Sequence, residues 1–258
     1  MGALLSRRRL DAELVRRGLA GSRSEAHRLV EEAKVVVKGM PTPKPASMVT
    51  SDTPIRLVSD ERQWVSRGAL KLLAALEAFP VEVAGKTVLD VGASTGGFTE
   101  VTLEAGARQV VALDAGKAQL HESLRQDNRV RSLERTNFRL VDIAEIEGPF
   151  PVIVADLSFI SLCTVAEKLF EAAVAGADLI VLVKPQFEAG RRQVGKGGIV
   201  REQTIRAEAV GKVIECLSAV GLGARGLIRS PIEGGDGNVE YLLWLRKGAI
   251  SLPLEVPA

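Results

Sequence analysis

The chain has 258 residues, which is enough for one large domain or for a small domain beside a medium one. Hydrophobic residues make up 46% and charged residues 26%, so neither a disordered chain nor a coiled coil is indicated. The net charge is only +2, but residues 1–60 carry 11 Lys and Arg against 7 Asp and Glu. A basic N-terminal end suggests a polyanionic partner.

Several other classes of protein are not indicated. The chain has two histidines, too few for a histidine metal cluster, so we expect no metal. Cys163 and Cys216 show neither zinc-ligand spacing nor a disulfide framework, which predicts a protein of the reducing cytoplasm. The most apolar stretch, residues 148–166, contains two prolines and a central Asp156, whose burial in a bilayer costs roughly 2.5–3.5 kcal/mol. With no secretory signal either, we expect no stable membrane association.

The first 60 residues predict two short helices and a small strand. Apolar residues at helical spacing predict a helix within residues 6–19. Ser22 and Glu25 have the spacing of a capping box and predict the start of a second helix, which leads to a strand at Val35–Val37. Prolines then exclude further helix and leave extended pieces such as residues 55–58. We expect a basic domain over residues 1–59 and a linker over residues 60–65.

Arginines are concentrated on these two predicted helices. Such a cluster has the electrostatic footprint of nucleic-acid binding, although a solvated face is the alternative. No aromatic residue precedes Trp64, so recognition of the RNA backbone or shape is expected rather than base stacking. The residues predicted to contact RNA here are Arg7, Arg8, Arg16, Arg17, Arg23 and Arg28.

The same region resembles a known RNA-binding domain. The run that starts Arg9-Leu-Asp-Ala-Glu-Leu-Val-Arg-Arg-Gly-Leu-Ala-Gly and closes with Val-Val-Val-Lys-Gly39 is similar to the domain named after small-subunit ribosomal protein four. One departure is Ala33, which stands where that pattern usually has glycine. The resemblance implies an RNA partner for the basic domain.

A glycine loop opens the second part of the chain. Residues 86–91 predict a buried strand that runs into Gly92-Ala-Ser-Thr-Gly-Gly97, and Phe98 follows at the start of a helix. Glycines let the backbone approach a nucleotide-like ligand closely, and Asp114, at the end of the next strand, is placed to bind ribose hydroxyls. Because Ser94 occupies the middle position of the dinucleotide fingerprint, S-adenosylmethionine fits better than NAD. A turn without any ligand is the alternative.

The predicted cofactor residues surround this loop. Asn137 follows the third predicted strand, Val130–Leu133, where it is suited either to an adenine edge or to an Asx turn. The full set expected to bind the cofactor is Asp90, Gly92, Ala93, Ser94, Gly96, Gly97, Phe98, Asp114, Asn137 and Asp156.

Later strands carry charged residues at their ends. The apolar runs 151–155 and 179–183 predict central parallel strands, which are followed directly by Asp156 and Lys184. A final hairpin is predicted from Leu222–Arg229 and residues 239–245, with Glu240 opening its second strand.

Four charged residues therefore stand beside apolar runs: Lys71, Asp156, Lys184 and Glu240. Buried charges need partners, and the four are too far apart in sequence for local pairing. A doubly wound α/β sheet brings the carboxyl ends of its strands together, so we expect one shared site.

Four strings give a more specific resemblance. They are Ser66-Arg-Gly-Ala-Leu-Lys-Leu72, Asp90-Val-Gly-Ala-Ser-Thr-Gly-Gly-Phe98, Asp156-Leu-Ser-Phe-Ile-Ser161 and Val183-Lys-Pro-Gln-Phe-Glu188. In this order they resemble the TlyA family, the haemolysin-named ribosomal RNA ribose methyltransferases, over nearly the whole chain.

The resemblance implies a fold, a cofactor and a partner. It implies a Rossmann-like, FtsJ-like methyltransferase domain over residues 66–258, with seven strands and a terminal antiparallel hairpin. It also implies S-adenosylmethionine as cofactor, ribosomal RNA or ribosomal subunits as partner and a cytoplasmic location. It names neither the target nucleotide nor an oligomeric state.

Related ribose methyltransferases use a Lys-Asp-Lys-Glu tetrad, which matches Lys71, Asp156, Lys184 and Glu240. A ribose hydroxyl is a poor nucleophile, so a base must remove its proton. Our hypothesis is that Lys184, partly desolvated and near Lys71, is this base, while Asp156 and Glu240 orient it and the ribose. The alternative is a protonated Lys184 that stabilises the alkoxide. Purely structural roles are a helix cap for Asp156, a snorkelling Lys184 and an edge-strand charge for Glu240.

The glycine-rich residues 185–200 predict a mobile loop. Arg191, Arg192 and Lys196 in this loop are suited to clamp RNA phosphates, and a merely solvated loop is the alternative. Three rival functions stay open: a non-catalytic RNA-binding or ribosome-assembly protein, a membrane-active haemolysin, and a dinucleotide oxidoreductase, although the last lacks an evident hydride-transfer site.

Overall fold

The computed structural model describes residues 7–57, 64–190, 193–195, 197–235 and 237–258. The chain forms two compact units, which divide between residues 63 and 64. Of the predicted linker, residues 60–63 lie outside the described ranges. Trp64 and Val65 pack against the core of the second unit, and the Val65 amide donates to Glu100 Oε2 at 2.8 Å.

The first unit is built from two short helices and two small antiparallel sheets. Its elements are β1 (Arg8–Arg9), α1 (Leu10–Arg16), α2 (Arg23–Glu31), β2 (Val35–Val37), β3 (Met48–Val49) and β4 (Ile55–Leu57). β1 pairs with β3, and β2 pairs with β4. The apolar stripes that predicted the helices form its core, in which Leu10, Leu14 and Ala26 are fully buried.

Two local features of this unit were predicted from the sequence, the cap of α2 and the unusual alanine at position 33. Ser22 caps α2, because its side chain accepts from the Glu25 amide at 3.2 Å, and the Glu25 carboxylate accepts from the Gly21 amide at 2.7 Å. The Glu25 carboxylate thus binds the amide of Gly21, the residue before the cap, instead of the amide of Ser22 as in a standard capping box. Ala33 has a φ of 55°, so an alanine occupies a left-handed turn that favours glycine.

Among its described residues, the second unit contains seven strands and a set of helices that cover them. Its strands are β5 (Thr87–Val91), β6 (Gln109–Leu113), β7 (Val130–Leu133), β8 (Phe150–Ala155), β9 (Ala173–Val183), β10 (Leu222–Arg229) and β11 (Tyr241–Lys247). Its helices are α3 (Gly68–Ala78), α4 (Gly97–Glu104), α5 (Glu122–Arg125), a 3₁₀ helix (Leu162–Val165), α6 (Ala166–Ala172), α7 (Pro185–Glu188) and α8 (Gln203–Ala219).

Within the described residues, the seven strands form one sheet in the order β10-β11-β9-β8-β5-β6-β7. β5 to β9 are parallel, and β11 runs antiparallel between β9 and β10. Apolar clusters cover both faces. The predicted α/β methyltransferase-type sheet with its terminal hairpin is confirmed, and the carboxyl ends of β5, β8 and β9 meet at one edge.

Two predictions about this sheet were wrong in detail. Glu240 does not open the second hairpin strand but immediately precedes it, and its carbonyl oxygen accepts from the Ser230 amide at 2.9 Å. β9 starts at Ala173, well before the predicted residue 179, because its pairing with β8 begins at Ala173.

Cys163 and Cys216 form a disulfide, with their Cα atoms 5.6 Å apart. The expectation of no disulfide was therefore wrong. The two cysteines are 53 positions apart in the sequence, and their proximity depends on the packing of the 3₁₀ helix against α8, which the sequence did not show. Across the described part of the chain, we found no helix whose length and apolarity would let it cross a bilayer.

Candidate active site

The glycine loop is closely packed against its neighbours. A Cβ atom on Gly92 would lie 2.5 Å from the Asp156 carbonyl oxygen, and Gly92 has a φ of 85°. A Cβ on Gly97 would lie 2.3 Å from Ser66 Oγ and 2.9 Å from the Ala69 amide nitrogen. No side chain fits at either position, so the backbone between β5 and α4 lies directly against the segments after β8 and before α3.

This loop forms one wall of a cavity of about 280 Å³. The cavity is lined by Ser66, Arg67, Gly68, Lys71, Gly92, Ala93, Ser94, Thr95, Gly97, Phe98, Asp156, Ile232, Glu233, Gly234 and Gly235. Most of the predicted loop residues are among these, together with two of the four predicted catalytic residues. The loop after β5 and the turn before β11 therefore enclose one space at the carboxyl edge of the sheet.

Four predicted cofactor residues, Asp90, Gly96, Asp114 and Asn137, lie outside this lining. Asp114 Oδ2 accepts from the Ser94 amide at 2.8 Å and Oδ1 accepts from the Gly116 amide at 2.6 Å, so Asp114 holds the glycine loop. Asn137 is exposed and accepts from the Arg139 amide at 3.1 Å, which is the Asx turn that we considered as an alternative. Their contacts with a cofactor stay predictions.

Asp90 is completely buried behind the loop. Its Oδ2 accepts from Thr99 Oγ1 at 2.6 Å, while Oδ1 has no hydrogen-bond partner among the described residues. Burial raises the pKa of Asp90 to about 7, against the hydrogen bond from Thr99, which lowers it. At neutral pH this carboxyl is therefore close to the midpoint of its titration.

The four predicted catalytic residues form two ion pairs, in which Lys71, Lys184 and Glu240 are buried and Asp156 is partly buried. Lys71 Nζ lies 2.6 Å from Glu240 Oε2, and Lys184 Nζ lies 2.6 Å from Asp156 Oδ1. Lys184 Nζ also donates to Ser158 Oγ at 2.8 Å. Each ammonium group thus has one carboxylate, which offsets part of the cost of burying it.

The sheet register brings the two pairs together. β11 pairs with β9 so that Tyr241 faces Val183, and the next position of this register sets Glu240 beside Lys184. On the other side, the Asp156 amide donates to the Val91 carbonyl at 3.0 Å, directly before the glycine loop. The structure therefore gathers the two ion pairs at the strand ends.

Several residues beside these ion pairs had no role predicted from the sequence. Ser158 contacts Lys184, and Phe159 next to it is 91% exposed with a φ of 65°. The Phe159 ring contacts that of Phe187, with centroids 5.2 Å apart. A bulky residue in the left-handed region is strained, which is typical of functional segments. All three residues lie within the sequence strings that carry the family resemblance, so that resemblance was the signal that could have identified them.

The predicted RNA-contacting arginines of the first unit fall into two groups. Arg7, Arg8, Arg23 and Arg28 are exposed. Arg17, in contrast, donates to Glu13 and to the carbonyl groups of three residues, Thr50, Ser51 and Thr53.

Arg16 also binds Glu13, at 2.6 Å. These hydrogen bonds, that of Arg16 first, lower the pKa of Glu13 to about 2, although burial opposes them. RNA binding by Arg16 and Arg17 stays a prediction. The remaining predicted RNA contacts, Arg191, Arg192 and Lys196, lie outside the described residues.

Comparison with known proteins agrees with this geometry. Residues 64–247 match the FtsJ-like methyltransferase family. The chain is 53% identical over 241 residues to the 16S/23S rRNA (cytidine-2′-O)-methyltransferase TlyA of Mycobacterium tuberculosis, covering 93% of this chain and 90% of that protein. It is 45% identical over 238 residues to YqxC of Bacillus subtilis, which is described as a proposed rRNA methyltransferase, covering 92% and 85%.

A solved structure extends the agreement to three dimensions. The structure of a proposed hemolysin from Streptococcus thermophilus is 40% identical, with a TM-score of 0.72, and the match covers 96% of this chain and 91% of that one. The chain therefore belongs to the FtsJ-like methyltransferase family and, by similarity over nearly its whole length, to the TlyA proteins within it.

Proposed function

We propose that this protein transfers a methyl group from S-adenosylmethionine to a ribose 2′-hydroxyl of ribosomal RNA. The observation that carries the proposal is the presence of two ion pairs, Lys71 with Glu240 and Lys184 with Asp156, at the edge of the glycine-loop cavity. The Mycobacterium tuberculosis relative is named for this reaction on cytidines of 16S and 23S rRNA.

The residues of the cavity fit S-adenosylmethionine. Gly92 and Gly97 have no room for a Cβ atom, and the loop that they begin and end lines the cavity, as a backbone cradle for a ligand requires. Asp114 fixes that cradle and keeps acceptor capacity for ribose hydroxyls, as does Asp156 in the cavity wall. When bound, the cofactor supplies an electrophilic methyl group on a positively charged sulfur.

Lys184 is the base of this proposal. A neutral Lys184 accepts the proton of the ribose 2′-hydroxyl, which makes the oxygen nucleophilic. Asp156 and Ser158 hold its Nζ at 2.6 and 2.8 Å and so fix its direction.

One observation favours the alternative in which Lys184 stays protonated. A carboxylate at 2.6 Å, that of Asp156, stabilises an ammonium group. The two forms predict opposite pH profiles for single-turnover transfer. A neutral base gives a rate that rises with pH until Lys184 is deprotonated, whereas an ammonium that stabilises the alkoxide gives a rate that falls over the same range.

RNA contacts are proposed in both units. The exposed arginines of α1 and α2, notably Arg23 and Arg28, bind phosphates of folded RNA. Next to Lys184, the exposed Phe159 ring, supported by Phe187, offers a stacking surface for an unstacked base of the target strand.

The substrate also determines the location that we propose, the cytoplasm, where ribosomes are assembled.

The test identifies the product. Ribosomal subunits from a strain that lacks the modification are incubated with the protein and labelled S-adenosylmethionine, and the RNA is digested to nucleosides. We expect the label in a 2′-O-methylated nucleoside. In the undigested RNA, the 3′ linkage of such a nucleotide resists alkaline cleavage. Label only in base-methylated nucleosides would refute ribose methylation, and failure to bind S-adenosylmethionine would favour a non-catalytic RNA-binding protein.

A further inference from the structure

Glu188 joins the two segments that carry the Lys184–Asp156 pair. Its carboxyl group is buried, Oε1 accepts from the Leu162 amide at 2.8 Å, and Oε2 accepts from Ser161 Oγ at 2.5 Å. Glu188 ends α7, which begins directly after Lys184. Ser161 and Leu162 lie at the start of the 3₁₀ helix, at the end of the segment that begins with Asp156.

This carboxyl group therefore closes a ring between two strand ends. One side of the ring runs from Lys184 to Glu188, and the other runs from Asp156 through Ser158 to Ser161. At one end the two sides are joined by the contacts of Lys184 Nζ with Asp156 and Ser158, and at the other by Glu188. A shift of either segment would change the distances at Lys184.

Two further contacts tie the same segments to α8, the longest helix of the second unit among those described. Lys212 Nζ donates to the Glu188 carbonyl oxygen at 3.0 Å, which fixes α7 to α8. The disulfide between Cys163 and Cys216 fixes the 3₁₀ helix to α8. The 3₁₀ helix, α7 and α8 are thus joined pairwise, and the Glu188 side chain makes the join nearest to Lys184.

Stability alone does not explain a carboxyl group at this position. Burial raises the pKa of Glu188, against the hydrogen bonds from Ser161 and Leu162 and the charge of Lys212, which lower it. A buried carboxyl group carries a desolvation cost that an apolar side chain would avoid, so its geometric specificity is the more relevant property.

We propose that Glu188 is a positioning residue for methyl transfer, which holds the segments after β8 and β9 so that Asp156 and Ser158 direct Lys184 Nζ. The inference rests on the proposed function. Glu188 does not line the cavity, so it acts on the reaction through Lys184 and not on the binding of either substrate.

The test compares Glu188→Ala, Glu188→Gln and a matched control, Asp178→Asn. Asp178 is also a buried carboxylate of the β9 region, but it binds Trp244 and Arg246 within the sheet and away from the carboxyl strand ends. Glutamine keeps an acceptor for the Leu162 amide and can donate to Ser161 Oγ. It therefore preserves the join, whereas alanine removes it.

We expect Glu188→Ala to lower kcat about 10- to 100-fold, the cost of a misplaced catalytic group, with KM values for cofactor and RNA within about threefold of wild type. Glu188→Gln should keep kcat within about threefold, and Asp178→Asn should lose thermal stability without losing kcat. A Glu188→Ala variant that loses only stability, as the control does, would overturn the proposal.

A second measurement does not depend on activity. Acylation of Lys184 by an amine-reactive ester, followed by peptide mapping, reports how firmly its Nζ is held. We expect faster labelling of Lys184 in Glu188→Ala than in wild type and Glu188→Gln; equal labelling in all three would contradict the positioning role. If the wild-type protein methylates no ribose, the proposed function fails, while this labelling still tests the join. If Glu188→Ala does not fold, Ser161→Ala takes its place in both assays, because this variant removes one of the two hydrogen bonds that Glu188 accepts.

Discussion

Lys71 and Glu240 are separated by 169 residues, yet Lys71 Nζ lies 2.6 Å from Glu240 Oε2 and both side chains are buried. The pair connects α3 to the residue before β11. Glu240 also follows the turn around Gly234, where a Cβ atom would lie 2.5 Å from Glu240 Oε1. A contact between such distant parts of the chain brings α3 to the start of β11, the strand between β9 and β10.

Breaking this ion pair from one side should be more damaging than removing it entirely. We predict that Glu240→Ala lowers the free energy of unfolding by about 3–5 kcal/mol, because Lys71 is left buried without its carboxylate. The double variant Lys71→Met with Glu240→Leu should recover much of that loss and yet be inactive. Urea unfolding and methyl-transfer assays of the single and double variants check this. Equal losses of stability in both would show that the charge pair is not the cause.

Asp90 predicts a pH dependence of stability. Its pKa is raised by burial, to about 7, above the value in an unfolded chain. The folded protein therefore holds a proton that the unfolded chain has released between about pH 4 and pH 7, and stability falls as pH rises through that window. The full cost, reached above pH 7, is on the order of 4 kcal/mol.

Asp90→Asn should remove this cost, because an amide oxygen can still accept from Thr99. We expect the variant to be more stable than wild type, with an advantage that is larger at pH 8 than at pH 5. Urea unfolding of both proteins at the two pH values measures it. An advantage that does not grow with pH would mean that Asp90 ionises in the folded state as easily as in water.

Arg17 is predicted to be a structural residue of the first unit. Its guanidinium group binds Glu13 and three carbonyl groups of the turn at residues 50–53. Arg17→Ala should lower the local stability of this unit by roughly 1.5–3 kcal/mol, as expected for hydrogen bonds to charged groups. Arg16→Ala, which loses contacts with Glu13 alone from a half-exposed side chain, is the matched control. Hydrogen exchange of the Leu10 and Leu14 amides compares them, and equal protection in both variants would contradict the assignment.

The sequence predicted the sheet well for a physical reason. Parallel strands buried on both faces are continuous apolar runs, so the bounds of β5 and β8 were predicted within one residue. Those of β7 and β10 were predicted without error, although β7 is a half-buried edge strand and β10 runs antiparallel. It also predicted the four charged residues of the site, because charges at the ends of such runs are conspicuous.

Contacts between loops could not be predicted from the sequence. Ser158 and Glu188 lie within the strings that carry the family resemblance, but their partners come from another strand end, so no local pattern predicts these contacts. The same holds for the disulfide between Cys163 and Cys216, which depends on how the 3₁₀ helix packs on α8. Asp90 was expected to contact a ligand, but the depth of its burial depends on the packing of α4.

The disulfide gives a further prediction. It closes a loop of 53 residues, for which the loss of chain entropy in the unfolded state stabilises the fold by about 4 kcal/mol. Reduction with dithiothreitol, or Cys163→Ser, should therefore lower the melting temperature of the oxidised protein. Thermal unfolding with and without reductant tests this, with Cys163→Ser as the control that should no longer respond. A melting temperature that is the same in both conditions for the wild-type protein would argue against the bond.

The most direct test of the proposed chemistry compares two lysine variants in single-turnover methyl transfer to unmodified ribosomal subunits. Lys184→Ala removes the proposed base, whereas Lys168→Ala removes a lysine of α6 that pairs with Glu171 at 2.7 Å and lies outside the cavity lining. We predict a rate about 10²- to 10⁴-fold lower for Lys184→Ala and an unchanged rate for Lys168→Ala. Transfer at the wild-type rate by Lys184→Ala would contradict the central role of this residue.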